Sequence, residues 1–387
     1  MAAATDVRPT VARVDLDALR GNVRAVQALL AEGAASAQRT PPAIIAVVKA
    51  NAYGHGAVPV ARACEAEGVA MLACADVDEG VELRDGGVRA PILVFGALGV
   101  SDLEGVFSHR LTPTISSPWA GRALAEQAAR RQVVLHCHVK VDTGMNRLGL
   151  RHDNLERTLP PILGAPSLRV ASIYTHLASA DDPESDGIVN QQHLFAHARE
   201  RAAALGLRRT HAHAANSAAL LRDQRVWFDA VRPGLLLYGV VPPPLMTTLP
   251  LVPALSLHSR IVAVKGVRPG EGVGYGASFH AERPTTLAVV PAGYADGLDW
   301  RLGNRGVVLV RGQRVPIVGR VSMDMITVDV TGLDVSPGDE VVLLGTQGQE
   351  RLDVREVAAT IGTLPWELLC RLGARIQREY RSSTATT

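Results

Sequence analysis

A lysine stands directly after the first strongly apolar run of the chain. Residues 43–48 have the sequence Ala-Ile-Ile-Ala-Val-Val, and Lys49 follows them. A lysine at such a place usually extends its charged end into solvent. The alternative is an amine in a desolvated pocket, where the free base is favoured and can condense with a carbonyl group. Lys49 is therefore the first candidate for a residue that does covalent chemistry.

Later apolar runs also lead into polar residues. Lys140 lies on one such run, His176 ends the next, and Asn216 with Ser217 closes a third. Arg232 ends the last run of this kind. Taken singly, each residue has an ordinary explanation as a packed histidine, a helix-capping serine or a salt-bridged arginine. Their shared position at run ends makes them a candidate group.

The elements that would position these residues alternate in type. Eight apolar runs have the length of strands, and most are separated by stretches with helical periodicity such as 58–67, 119–131 and 190–205. Ser117 and Ser217 are predicted helix N-caps. The eight predicted strands are 43–49, 71–75, 91–96, 111–115, 133–141, 169–176, 209–215 and 227–232.

Eight strand–helix units are the number needed to close a (β/α)8 barrel of the TIM type. The C-terminal ends of barrel strands carry the active site, so the polar residues above are predicted to meet at one mouth. An open doubly wound sheet is the alternative fold, but no G-x-G-x-x-G sequence follows the first strand.

Ser217 and Gly234 follow the seventh and eighth predicted strands. Barrels commonly bind phosphate there, through backbone N–H groups and a helix N-terminus. A lysine at the mouth together with a phosphate site suggests an aldehyde cofactor with a phosphate group, which is pyridoxal phosphate.

The pattern changes at the consecutive prolines 242–244, which neither a helix nor a central strand accommodates. Short β-branched runs follow, and then one helix is predicted at 354–361. We predict a barrel domain at 1–243 that binds the cofactor and a mostly β domain at 244–387. The predicted strands of the second domain are 257–267, 285–290, 307–310, 315–318, 325–330 and 340–344.

Composition excludes several other classes of protein. The 387 residues carry a formal net charge of +2 and no basic stripe, so we expect no nucleic-acid partner. No apolar run is long enough to span a bilayer, and the N-terminus lacks the pattern of a secretion signal. We expect a cytoplasmic protein with no membrane association.

The run His136-Cys137-His138 invites a metal interpretation. In a strand the two histidines would share one face with Lys140, and Cys137 would point the other way. Three ligands from this run have poor geometry, so we expect no metal site. The four cysteines are expected to be reduced thiols, mostly buried.

Several segments together resemble the alanine racemase family of fold-type III pyridoxal-phosphate enzymes, over nearly the whole chain. This resemblance implies a homodimer that interconverts L- and D-alanine and supplies D-alanine for peptidoglycan. The matching segments are Val48–Gly56, Lys140–Gly149, His213–Ala218, Arg232–Gly239, Gly274–Gly276, Ala292–Gly297 and Gly319–Asp324.

The resemblance also implies individual roles. Lys49 matches the lysine that binds the cofactor as a Schiff base and acts as one acid/base. Tyr275 matches the second acid/base, which reaches the site from the partner subunit, and Met323 matches a substrate-pocket position from the same partner. Arg147 matches the residue that binds the phenolic oxygen and the substrate carboxylate. Lys140 matches a lysine that is often carboxylated.

The remaining matches surround the cofactor. Arg232 matches the residue that faces the pyridine nitrogen, and His176 matches one near the ring. One departure concerns Trp366, which stands where the family usually has a tyrosine near the phosphate; an indole donates a hydrogen bond but cannot accept one. The expected phosphate-end positions are Tyr53, Asn216, Ser217, Gly234, Leu235 and Trp366.

Three alternatives stay open at this stage. A racemase of the same family could act on serine or another amino acid. A fold-type III decarboxylase would carry an acidic residue where Arg232 stands. A pyridoxal-phosphate carrier protein would consist of the barrel alone, without the 144-residue segment at 244–387.

Overall fold

A computed structural model describes residues 8–99 and 102–383. Two compact units make up this part of the chain. The first, which we call the barrel unit, comprises Leu19–Ala52 and Ala57–Val252. The second, the C-terminal unit, comprises residues 8–18, Tyr53–Gly56 and 253–383. Within the described ranges, no helix is both long and apolar enough to cross a membrane.

Eight strands of the barrel unit pair in parallel as a ring, and a short ninth strand, Leu150–Arg151, pairs in parallel with the end of the fifth. The eighth strand pairs with the first through Ala230 and Ala43, and the fourth pairs with the fifth through Thr114 and His138, so the sheet is closed. The predicted (β/α)8 barrel is therefore confirmed, and every predicted segment overlaps one strand of the ring. The strands are Ala43–Val47, Met71–Cys74, Ile92–Val94, Thr112–Ile115, Leu135–Asp142, Leu168–Tyr174, His211–Asn216 and Ala230–Arg232.

Helices follow the strands and cover the barrel. Their buried faces are largely aliphatic, and Trp227 is fully buried with its indole N–H donating to the carbonyl of Leu220 at 3.0 Å. The helices are Leu16–Ser36, Lys49–Tyr53, Ala57–Ala66, Val77–Asp85, Leu103–Ser108, Pro118–Arg130, Leu155–Thr158, Pro160–Leu163, Gly187–Ala204 and Ser217–Arg222, with 3-10 turns at Gln224–Val226 and Leu235–Tyr238.

One of the two predicted N-caps is confirmed and the other is wrong. The Ser117 side chain accepts a hydrogen bond from the backbone N–H of Ala120 and caps Pro118–Arg130. Asn216, and not Ser217, caps the helix Ser217–Arg222, because its backbone is extended and its side chain accepts from Ala219. Ser217 is consequently the first helical residue.

The C-terminal unit is mostly β. Its main sheet has strands in the order Gln313–Pro316, Val307–Val310, Glu340–Gln347, Leu255–Arg260, Val11–Asp15 and Gln377–Arg381, with Glu350–Leu352 paired to Glu340–Gln347. The smaller sheets contain Ala263–Val267, Thr285–Val290 and Ile326–Asp329, and Gly272–Val273 with Phe279–His280. The helices are Val354–Ile361 and Pro365–Cys370, with 3-10 turns at Tyr275–Ala277, Tyr294–Asp296 and Trp300–Leu302.

The structure differs from the predicted boundaries at the start of the chain. The strand Val11–Asp15, which lies within the predicted barrel domain at 1–243, pairs antiparallel with Leu255–Arg260 and parallel with Gln377–Arg381. Its apolar side chains Val11, Ala12 and Val14 are buried in that sheet. An isolated apolar run does not indicate which of two sheets it joins.

The predicted strand 257–267 is in fact two strands in different sheets. Between them, the N–H of Ile261 donates to the carbonyl of Asp339, and the N–H of Val262 donates to the carbonyl of Val289. The chain thus passes from the main sheet to the three-stranded sheet at this step. Ile261 and Val262 lie between the two strands and are themselves apolar and β-branched, which is why the pattern alone did not separate them.

Candidate active site

Lys49 leaves the first barrel strand on an unusual turn. The next three residues, Ala50, Asn51 and Ala52, all have φ and ψ near +50°, the left-handed helical region. For residues with a side chain this conformation costs about 1–2 kcal/mol each. Such strain persists only where the surroundings hold it in place, which is most often a functional site.

Hydrogen bonds hold the left-handed turn from several directions. The N–H of Ala52 donates to the carbonyl of Val48 at 2.9 Å. The Asn51 side chain accepts from Ala57 at 2.7 Å, and the N–H of Ala50 donates to the carboxylate of Glu79 at 2.6 Å. These bonds fix the backbone on the C-terminal side of Lys49, whose own side chain is half-buried.

Arg232 lies buried at the end of the eighth strand, only 3% exposed. Its guanidinium donates to the carbonyls of Thr175 and Ala214, both at 2.8 Å, and to Nδ1 of His213 at 2.8 Å. None of these partners is charged. Burial therefore lowers the pKa of Arg232 to about 10.

The bond from Arg232 fixes the tautomers of two buried histidines. Because a guanidinium only donates, Nδ1 of His213 is an acceptor and its proton lies on Nε2. That Nε2 is 3.1 Å from Nδ1 of His138, which must then accept. Burial lowers the pKa of His138 to about 4 and the pKa of His213 well below its usual value, so both rings are neutral at pH 7.

Tyr174 packs in the centre of this polar barrel interior. Its ring stacks on His213 at 4.6 Å between centroids, and its hydroxyl bonds to Thr114 at 2.9 Å. The guanidinium carbon of Arg232 lies 5.2 Å and the amine of Lys140 lies 5.9 Å from the ring centroid. The aromatic face therefore stabilises two cations that have left water.

The barrel mouth is strongly basic. Burial lowers the pKa of Lys140 to about 8, and the nearby positive charges of Arg147 and Arg232 add to this effect. Burial likewise lowers the pKa of His176 well below its usual value, with Arg232, Lys140, Arg147 and Lys49 all contributing. The predicted barrel residues are thus within electrostatic range of one another, in a site suited to an anionic ligand.

Ser217 has the geometry of a phosphate donor. Its hydroxyl oxygen accepts from the backbone N–H of Gly234 at 3.0 Å and of Leu236 at 3.4 Å. The hydroxyl hydrogen is therefore left to donate to another group. The side-chain oxygen of Asn216, by contrast, accepts a hydrogen bond from the N–H of Ala219, so the role of Asn216 is to cap the helix.

Sequence reasoning missed a buried glutamine that supports this mouth. Gln191, from the helix Gly187–Ala204, donates to the carbonyl of His176 at 3.0 Å and to the hydroxyl of Thr143 at 3.1 Å. Thr143 in turn bonds to the hydroxyl of Thr175 at 2.7 Å. A polar residue on the buried stripe of an otherwise apolar helix face was the signal for it.

Arg147 is the exposed member of the predicted barrel group. It lies in the loop after the fifth strand, where the Asp142 side chain accepts from the N–H groups of Gly144 and Asn146, each at 3.0 Å. The loop is therefore ordered while the arginine side chain extends from it.

The other predicted site residues belong to the C-terminal unit. They are Tyr53, Tyr275, Met323 and Trp366. Tyr275 is 72% exposed, and Met323 is also exposed. Tyr53 and Trp366 are half-buried.

Three loops of the C-terminal unit join around Met323. The N–H of Tyr294 donates to the carbonyl of Ser322, and the N–H of Ala295 donates to the carbonyl of Met323, both at 3.0 Å. Gly319, just before the Met323 loop, packs closely against Val273, just before Tyr275. A Cβ on Gly319 would lie 2.9 Å from the carbonyl oxygen of Val273. These loops carry four exposed large side chains, a group that we call the Tyr275 face: Tyr275, Tyr294, Met323 and Met325.

A closed barrel with a basic mouth, followed by a mostly β unit, defines a two-part barrel enzyme. Two family models cover the chain: "Alanine racemase, N-terminal domain" matches residues 14–242, and "Alanine racemase, C-terminal domain" matches residues 254–380. The chain belongs to the alanine racemase family.

Individual relatives agree with this assignment. The alanine racemase of Carboxydothermus hydrogenoformans is 40% identical over 97% of this chain and 100% of its own length. The crystal structure of alanine racemase from Bacillus anthracis with bound L-Ala-P has a TM-score of 0.90 at 35% identity and covers 98% and 97% of the two chains. The Bartonella henselae enzyme with covalently bound pyridoxal phosphate has a TM-score of 0.85 at 31% identity, covering 96% and 99%.

The neutral state of His138 predicts a pH-dependent stability. The pKa of His138 falls from 6.5 in the unfolded chain to about 4 in the folded chain. Between these two pH values His138 binds a proton in the unfolded chain but not in the folded chain. The free energy of unfolding should therefore fall as the pH falls, by about 1.4 kcal/mol per pH unit from this group. In His138→Gln, where an amide oxygen can still accept from His213, we expect a shallower fall, measured by denaturant midpoints at pH 7 and 4.5.

The matched control is His136→Gln, an exposed position on the same strand, which should keep the wild-type pH dependence. Identical slopes for His138→Gln and the wild type would contradict the assignment of His138 as a buried neutral acceptor.

Proposed function

We propose that this protein interconverts L-alanine and D-alanine with pyridoxal phosphate bound at Lys49. The observation that carries the proposal is Lys49 on its braced left-handed turn, at the same barrel mouth as a buried arginine with neutral partners. Membership of the alanine racemase family supports the reaction. The Bacillus anthracis structure with bound L-Ala-P supports an alanine-like ligand, and the Bartonella henselae structure with covalently bound pyridoxal phosphate supports the cofactor.

The donor groups of the barrel fit this cofactor. The Lys49 amine would hold it covalently, and the hydroxyl hydrogen of Ser217 together with the N–H of Leu235, in the Gly234–Leu235 segment that contacts Ser217, would bind its phosphate. Arg232 would present an N–H donor to the ring nitrogen, and a donor does not protonate that nitrogen as a carboxylic acid would. When bound, pyridoxal phosphate supplies the electron sink for the charge left on Cα.

Racemisation requires a proton to leave one face of Cα and another to arrive on the opposite face. Two separate acid/base groups achieve this without any large movement of the substrate. We assign Nζ of Lys49 to one face and the hydroxyl of the partner subunit's Tyr275 to the other. Arg147 would bind the substrate carboxylate, and Met323 of the partner subunit would line the pocket.

The proposed homodimer is supported by the Tyr275 face. Exposed tyrosine and methionine side chains are enriched in protein interfaces, because they combine large apolar area with polar or polarisable atoms. Within one chain, hydrogen bonds join the Tyr294 loop to the Met323 loop, and Gly319 packs against Val273 beside the Tyr275 loop. The residues of the Tyr275 face are therefore positioned to meet another subunit.

Trp366 changes the phosphate end of the proposed site. It lies in the short helix Pro365–Cys370 and is half-buried. Its indole N–H is a donor suited to an anion but cannot accept, unlike a tyrosine hydroxyl. We therefore assign phosphate binding mainly to Ser217, Gly234 and Leu235, with Tyr53 and Trp366 as supporting groups.

D-alanine produced in this way would supply peptidoglycan synthesis. The cytoplasmic location of the protein also stays a prediction. Serine is the second candidate substrate, because the side chains of the Tyr275 face would set the size of the pocket.

The decarboxylase alternative is disfavoured by Arg232, which occupies the position where that class has an acid. A lone-barrel carrier protein is disfavoured by the C-terminal unit.

The first test is purified enzyme with L-alanine, L-serine or L-lysine, followed by chiral chromatography. We expect D-alanine to form fastest. The protein should be yellow, and Lys49→Ala should lose both the colour and at least about 1,000-fold of kcat, because the covalent attachment and one acid/base are removed together. Retained activity in a colourless Lys49→Ala protein would refute the assignment.

The shared site predicts complementation between two inactive variants. Lys49→Ala and Tyr275→Ala chains, each nearly inactive alone, should regain activity when mixed, because a hybrid dimer contains one site with both groups. Random reassociation gives at most about a quarter of the wild-type sites. Hybrid dimers that form, as shown by native mass spectrometry, but remain inactive would place Tyr275 outside the partner's site.

Lys140 is proposed to be carboxylated by carbon dioxide, forming an N–C bond at Nζ with release of one proton. Only the free amine reacts, and its fraction rises as the pH passes about 8. In ¹³C-labelled bicarbonate we expect a carbamate carbonyl signal that grows from pH 6.5 to 8.5. Lys140→Arg, which keeps the positive charge, should lack this signal; an equal signal in both proteins would exclude Lys140 as its source.

A further inference from the structure

Glu79 is a glutamate whose carboxylate leaves its own helix. It lies in the first turn of Val77–Asp85, and its backbone N–H donates to the side chain of the N-cap, Asp76, at 3.0 Å. In a capping box, a glutamate at this position would return the bond to the N-cap N–H. Here one carboxylate oxygen accepts from Ala75 at 2.7 Å, and the other accepts from Ala50 at 2.6 Å.

This carboxylate therefore links the ends of two neighbouring barrel strands. Ala75 directly follows the second strand, and Ala50 directly follows Lys49 after the first strand. The strands themselves are paired up to Val47 and Ala73, and the N–H of Val48 still donates to the carbonyl of Ala73 at 2.8 Å. Beyond that bond, Glu79 continues the connection by a side chain.

We propose that Glu79 is a positioning residue for Lys49. Its carboxylate holds the left-handed turn against the second strand and so fixes the direction in which the lysine side chain enters the barrel mouth. The catalytic consequence rests on the proposed function, whereas the bracing of the turn does not.

The chemistry of the side chain supports a carboxylate in this role. The two backbone N–H donors contact different oxygens of Glu79, and an amide has only one oxygen. In Glu79→Gln the NH₂ group would face one of the two donors, leaving that donor unpaired. Burial raises the pKa of Glu79, whereas the two N–H groups and the nearby positive charge of Lys49 act in the opposite direction.

The turn benefits from such a brace because, apart from Asn51, its own residues do not favour the left-handed region. Ala50 and Ala52 gain nothing from a positive φ, unlike the glycines at 54 and 56 that follow. Without the Glu79 bond, the peptide after Lys49 could relax toward ordinary backbone angles. A displacement of a reacting group by about 1 Å can cost on the order of 100-fold in rate.

The test compares Glu79→Gln with Asp78→Asn in the full-length protein. Asp78 is an exposed acid in the same first turn, so its variant removes the same charge from the same helix terminus. Amide hydrogen exchange of residues 48–56 reports the brace without any activity measurement. Steady-state kinetics with L-alanine and the visible circular dichroism of the bound cofactor report the position of Lys49.

For Glu79→Gln we expect at least about tenfold faster exchange in 48–56 and a loss of kcat of roughly 10- to 100-fold with little change in KM. The circular dichroism band should shift or weaken, while Asp78→Asn matches the wild type in all three measurements. If Glu79→Gln does not fold, Glu79→Asp keeps the charge at the helix terminus but is one methylene too short to reach both donors. It should show the same changes.

Wild-type exchange in 48–56, an unchanged kcat, or equal effects in Asp78→Asn would each overturn the proposal. If the wild-type protein failed to interconvert alanine enantiomers, the proposed function would fail instead. The exchange measurement would still decide whether Glu79 braces the turn.

Discussion

The barrel interior is organised around one buried guanidinium. Arg232 has exchanged water for two backbone carbonyls and a histidine nitrogen, all of them neutral acceptors. A buried charge without an opposite charge is costly unless its donors are satisfied, so each of these acceptors is required. This requirement sets the tautomer of His213, and through it the tautomer of His138.

The same positive charge adds to the effect of burial on the surrounding groups. His176, His213 and Lys140 all have a lowered pKa, first because they are buried and then because nearby arginines repel a second positive charge: Arg232 for the two histidines, and Arg147 followed by Arg232 for Lys140. The mouth is thereby rich in neutral nitrogen atoms and yet positive overall. Such an environment favours a bound anion.

The sequence predicted the regular part of this arrangement well. Each barrel strand is a short apolar run bounded by turn residues, so local pattern and tertiary environment agree. The left-handed turn after Lys49 could not be predicted in the same way, because Ala50 and Ala52 have no local preference for it. Its main external support is Glu79, which is 29 residues distant in the chain.

The same distinction explains the errors. Val11–Asp15 has an ordinary strand pattern, but its partners are strands more than 240 residues further along the chain. Asn216 and Ser217 are both good capping residues, and the choice between them depends on the N–H of Gly234, which occupies the serine oxygen. In each case a contact from a distant segment decided between two locally acceptable structures.

The two proposed acid/base groups are positioned by different physical means. The backbone of Lys49 is positioned by the barrel strand before it and by the hydrogen-bonded left-handed turn after it. Its position is therefore set when the barrel unit folds. Tyr275 follows Gly274, whose φ is 70°, and Tyr275 is 72% exposed. Its position is defined by the backbone alone, and most of its ring lies in solvent. A side chain with so few contacts gains a defined position only when another surface covers it. If Tyr275 is the second base, its precision as a catalyst must therefore come from assembly, and the strength of the proposed dimer interface would contribute directly to kcat.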